Sequence, residues 1–186
     1  MNRKAITLQS LGAAALIGIL YILLHETGHL IVMLFAGATI DDFSIIGAHV
    51  SAHGGNYTDF SEMWLNANGL LLPVFVIYIY MLLYRKDSQS VFYKLFSQFA
   101  AIMAVSTPLV WVIIPFAYMK GKAPVGDDAT KFLNAFVNYG HPLIISAAAA
   151  VLIALGVFLM IWRGIAHNFA ETVRTEKPEA KEPTEQ

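Results

Sequence analysis

The sequence has no cysteine in its 186 residues. Disulfides, iron–sulfur clusters, thiolate zinc sites and cysteine nucleophiles are therefore excluded. A chain without thiols is indifferent to redox state, so this absence says little about compartment. Charge is the second scarcity. Only 13% of residues are Asp, Glu, Lys or Arg, while 57% are apolar, and the charged share is about half that of an ordinary soluble domain. Of the 25 charged residues, 8 fall in the last 16 positions, which leaves 17 for the first 170. A soluble fold of this size cannot keep its surface wet on so few, and the chain reads as a membrane protein. With a net charge of −1 there is no basic footprint, so nucleic acid is not expected as a partner. The length suits one domain.

What the chain has is long apolar runs. A helix crosses a bilayer in about 20 residues, and four stretches reach that length: 5–36, 63–84, 95–119, and the part of 132–162 that follows Pro142. The first contains one formal charge, Glu26, and the others contain none. The first run is too long, and too polar in its middle, for a cleavable signal peptide. The expected fold is an all-α membrane protein with about four transmembrane helices. Residues 1–170 form the membrane domain. Residues 171–186, rich in Glu, Lys, Pro and Thr, form a polar tail expected to be disordered. Residues 45–53 mix apolar and polar side chains ahead of Gly54 and Gly55, which predicts a short strand or hairpin in the first loop. A short helix is expected over 128–138, ended by Gly140, His141 and Pro142.

The informative residues are His25, Glu26, Thr27, Gly28 and His29, an H-E-x-x-H motif. On a helix, positions i and i+4 share a face, so His25 and His29 can both offer a ring nitrogen to one zinc ion. Glu26 lies beside them, placed to act on a metal-bound water. Gly28 removes a side chain next to the site and allows a close approach. A bare Glu26 in the middle of a spanning helix would cost about 2.5–3.5 kcal/mol on insertion scales. A zinc ion bound beside it turns that liability into a satisfied cluster.

Two histidines do not complete a catalytic zinc site, which usually has three protein ligands and one open position. The metzincin continuation is absent, because Val32 and Phe35 stand where its glycine and third histidine would fall. The third ligand must come from farther along the chain. The end of the first run, the first loop and the third loop share one membrane face, and they offer Glu62, Asp127, Asp128, His49, His53 and His141. Asp127 and Asp128 are favoured, Asp128 first. They sit between a Pro-Gly stretch and a short helix, where one can cap the helix while the other ligates. Glu62 suits the start of the second span, His49 and His53 a polar strand face, and His141 a helix start.

At these residues the chain resembles the site-2 protease family of intramembrane zinc metalloproteases, in the form of its small bacterial members. The resemblance is carried by H-E-T-G-H in a spanning helix. A glycine-containing strand-like loop, Ala67-Asn68-Gly69 with Pro73 in the next span, and Gly126-Asp127-Asp128-Ala129 in place of the usual Leu-Asp-Gly motif support it. It implies a multi-pass protein of the bacterial cell membrane. It also implies a zinc-dependent endopeptidase that cleaves transmembrane protein substrates in or near the lipid bilayer, with one Zn2+ held by His25, His29 and Asp128 and with Glu26 moving the proton. The loop around residues 45–50 would hold the unwound substrate as an added strand. Asn68 would bond either a neighbouring helix or the substrate. The alternative from another class is a membrane zinc-binding or metal-transport protein. Orientation is read two ways. Arg3, Lys4, Arg85, Lys86, Lys94 and Arg163 lie on the face away from the motif, and positive-inside counting puts that face in the cytosol. The resemblance implies the reverse. Oligomeric state is not legible.

Overall fold

The computed structural model describes residues 3–174. Four helical stretches are long and apolar enough to cross a membrane: Arg3–Phe35, Asp59–Leu82, Val91–Met119 and Leu143–Trp162. The first is a single helix, α1 (Arg3–Phe35), about 50 Å long at 1.5 Å per residue and longer than the hydrocarbon core of a bilayer is thick. It ends where Gly37 takes φ +77° and its N–H turns back to the Leu34 carbonyl, a left-handed stop that favours glycine.

The first loop is an antiparallel hairpin, β1 (Ala38–Ser44) and β2 (His49–Gly54). The register pairs Ala38 with Gly54 and Ser44 with His49, with a bulge between Ile40 and Asp42. The hairpin expected from residues 45–53 is thus present but starts seven residues earlier than that window. Residues 45–48 form its turn and not a strand. The alternation of β1 is masked in sequence by Asp41 and Asp42, which instead answer the histidines of β2. Asp42 bonds His49 at 2.8 Å and Asp41 bonds His53 at 2.6 Å, both in exposed positions.

Helix α2 (Asp59–Leu82) opens on a capping box between Thr58 and Ser61, with Asp59 and Glu62 in its first turn against the positive end of the helix dipole. It is the central helix. Half of its most apolar window is buried, against 11% for α1 and 22% for Leu143–Trp162. Its Leu70, Val74, Ile77 and Met81 join Ala100, Ala101 and Ala104 in the core. The third apolar stretch is two helices, α3 (Val91–Ser106) and α4 (Pro108–Met119). The expected single run is broken because Pro108 has no N–H to continue the ladder and its ring crowds the preceding turn. Helix α5 (Asp128–Phe136) follows, then α6 (Leu143–Trp162) and α7 (Ile165–Arg174). The Tyr78 hydroxyl donates to the Leu152 carbonyl and ties α2 to α6. Helix α7 starts after Gly164, at φ +71°. It is anchored by Asn168, whose amide donates to the Tyr84 hydroxyl at 2.9 Å and to the Lys86 carbonyl at 2.8 Å. Residues 171–174 of the expected disordered tail therefore belong to a packed helix, and 175–186 lie outside the described residues.

Candidate metal centre

Three side chains from two distant segments converge. His25 and His29 sit one turn apart on α1, and their rings meet nearly edge to face, at 78° with centroids 4.8 Å apart. Their Nε2 atoms are 3.1 Å apart. Asp128, the first residue of α5, places Oδ2 3.3 Å from His25 Nε2 and 3.2 Å from His29 Nε2. The three residues form a group able to hold a metal ion. The expected convergence of Asp128 with the two histidines is present.

The far side of His29 strengthens the case. Its Nδ1 lies 2.8 Å from the Leu65 carbonyl of α2. A carbonyl only accepts, so Nδ1 carries the proton and a neutral ring presents a bare lone pair at Nε2. That lone pair faces a carboxylate oxygen and a second imidazole, so the cluster requires positive charge at its centre, from ring protons or from a metal. The spacing suits a metal: donors held tetrahedrally at about 2.0–2.1 Å from one ion lie about 3.3 Å from each other. The carbonyl bond also fixes the ring's orientation, the usual task of a second layer around a metal ligand. His25 lacks this support, since its Nδ1 is buried with no hydrogen-bond partner among the described residues. Burial alone would raise the Asp128 pKa. When the rings are protonated at Nε2 and no metal lies between them, hydrogen bonds from His25 and His29 and their charge outweigh burial and hold the carboxyl well below the ordinary carboxylate range.

Two glycines let the helices close around this cluster. A Cβ on Gly28 would lie 2.2 Å from the Asn68 carbonyl oxygen, and one on Gly69 would lie 2.6 Å from His29 Nε2. Any larger residue at either place would drive α1 and α2 apart or push into the imidazoles. Asn68 closes the crossing by donating its side-chain N–H to the Gly28 carbonyl at 2.8 Å. Of its two expected roles, bonding a neighbouring helix is the one the structure displays.

The cluster lies in a cavity of about 670 Å³ bordered by α1, the hairpin, the first turns of α2, and α5. Glu26, only 5% exposed, borders it beside the histidines. Asp127 points away from the cluster, accepting from the Ala129 N–H at 2.9 Å as the N-cap of α5. His53 stays on the hairpin with Asp41. His49 borders the cavity mouth but is bonded to Asp42. Glu62 borders the cavity from the first turn of α2. His141 accepts from the Leu143 N–H at the start of α6. Sequence reasoning passed over Lys131 and Asn134, which border the cavity with Asp128. Their 128, 131, 134 spacing on a short helix was the available signal. The Leu65 carbonyl had no sequence signal at all, because any residue supplies one. No protein-family model, curated protein or solved structure matches the chain.

Proposed function

We propose that the protein is a zinc-dependent intramembrane endopeptidase of site-2 protease type, held in a bilayer by its four apolar helices and acting on transmembrane protein substrates. The observation that carries this reading is the meeting of His25, His29 and Asp128 within 3.1–3.3 Å, in a cavity that also holds a buried Glu26. Two imidazoles and a carboxylate are the donor set of hydrolytic zinc sites, which leave a further position open. Zinc bound by these three residues would supply Lewis acidity and lower the pKa of a water. The chain's own residues do the rest. Glu26 borders the cavity beside the histidines but is not one of the three converging donors, so it serves as the base. Its carboxylate takes a proton from water and returns it to the leaving amine. The burial of Glu26 excludes bulk water, which strengthens its electrostatic effect on the reacting groups. A helical substrate hides its carbonyls in its own ladder and must be extended before it is cut. His49 and Val50 at the start of β2 border the cavity, where an extended segment can pair as an added strand.

Glu26→Gln tests this reading. The variant should keep its zinc and lose cleavage of a co-expressed membrane substrate, and a variant as active as the parent would sink it. The transport reading needs further polar ligands along a path, and α3, α4 and α6 carry no Asp, Glu or His. Zinc flux into proteoliposomes without proteolysis would revive it.

A further inference from the structure

Asp128 has two carboxylate oxygens in different company. Oδ2 faces both imidazoles, while Oδ1 lies 3.6 Å from the Lys131 ammonium. Lys131 is one turn along the same nine-residue helix, so α5 fixes the pair's spacing. The helix is held from its other side, where Phe132 packs against Trp111 with centroids 5.4 Å apart. Lys131 is also the one Lys or Arg bordering the cavity among the described residues, where it shares the wall with Glu26, Glu62 and Asp128. Its side chain is half exposed, and an exposed pair at this spacing adds little to stability.

A carboxylate can give a metal one oxygen or two. Two would add a donor and fill the space that a hydrolytic site keeps open. We propose that Lys131 is a positioning residue of the metal centre: its ammonium holds Oδ1, so that Asp128 offers Oδ2 alone and one position stays free. The proposal rests on the reading of His25, His29 and Asp128 as ligands, but not on the protease assignment. It explains why a cation lies beside a cluster that already gathers positive charge. The ammonium is directed at the oxygen turned away from the imidazoles, where it competes with the metal for that oxygen alone.

The test uses the detergent-purified full chain loaded with cobalt(II), whose visible absorption reports coordination number. The parent should show the strong bands of a four-coordinate ion, and Lys131→Met should weaken them by about twofold or more as a fifth donor enters. Lys131→Gln should behave like Lys131→Met, which guards against a peculiarity of one substitution. Lys131→Arg should restore the parental spectrum, because it restores the cation. Zinc competition should show Lys131→Met binding at least as tightly as the parent, since a ligand oxygen is gained and a nearby cation lost. Parental bands in Lys131→Met and Lys131→Gln would overturn the proposal and leave the metal centre intact. A parent that takes up no cobalt, or takes it up equally in His25→Ala, would overturn the metal centre and this proposal with it.

Discussion

Two cavities flank the wall made by α2 and α5, and they differ in almost everything but size. One, of about 670 Å³, is bordered by Glu62, Leu65 and Asn66 of α2 and by Asp128, Lys131 and Asn134 of α5. The other, of about 500 Å³, is bordered by Met63, Trp64 and Leu70 of α2 and by Phe132 and Phe136 of α5, with Ile145 and Ala149 of α6 beyond. The same two helices thus present a polar face to one side and an aromatic face to the other. The difference teaches where the chemistry is anchored. In apolar surroundings, a polar cluster persists only where each member finds a partner. The first cavity gathers its partners from α1, and the second touches α4 and α6, which have no charged residues to offer. The aromatic face then acts as the support that holds Asp128 against the histidines.

If that division of labour is right, a change at the closest α1–α2 contact should damage both stability and metal binding. Gly28→Ala puts a Cβ 2.2 Å from a backbone oxygen, which neither helix can yield without moving as a whole. The expected cost is about 3 kcal/mol or more, together with loss of zinc, because the Leu65 carbonyl leaves His29 when α2 moves away. Unfolding in detergent and metal content should fall together. A Gly28→Ala protein with parental stability would mean that the crossing is looser than described.

Substitutions on opposite faces of α5 sharpen the comparison. Asp128→Asn should lower zinc affinity by at least about tenfold, the range in which even supporting residues of metal sites act. Phe132→Ala should instead remove the Trp111 and Phe136 contacts at a cost of about 2 kcal/mol, below the value for a fully buried phenylalanine because the ring is only partly buried, while the folded fraction keeps its zinc. Equal effects of both changes on metal binding would show that the wall does not separate support from chemistry.

Much of this arrangement is legible in the residues, and what is hidden has physical causes. His25, Glu26 and His29 announce themselves because ionisable groups are rare in an apolar run and their spacing is that of one helix face. The long apolar helices are legible for the same reason. The break at Pro108 could be read from proline alone, but a run of apolar residues on both sides obscured it. Asp41 and Asp42 disguise β1 as loop, because their partners His49 and His53 lie across the turn, so the sequence shows only the later half of the hairpin. The helical form of residues 171–174 depends on α7 packing on α3, and tail composition carries no trace of that. Lys131 was missed because its role comes from a carboxylate whose own role had first to be fixed.

The smallest expected effect concerns Asp127, which differs from Asp128 by one position and by everything it touches. As N-cap of α5 it satisfies the Ala129 N–H, one of the donors that a helix start leaves free. Asp127→Ala removes that bond and should cost about 1 kcal/mol. Asn caps as well as Asp does, so Asp127→Asn should be close to neutral. Neither change should alter the stoichiometry of bound zinc, because the Asp127 carboxylate is turned into its own helix. Thermal unfolding of the two variants beside Asp128→Asn, each with its metal content, reads the contrast directly. Asp127→Ala should melt earlier and keep its metal, and Asp128→Asn should bind metal poorly. If Asp127→Asn lost zinc as Asp128→Asn does, the ligand would have been assigned to the wrong aspartate. The cap would then have to be supplied by Asp128 through a one-residue shift in the start of α5.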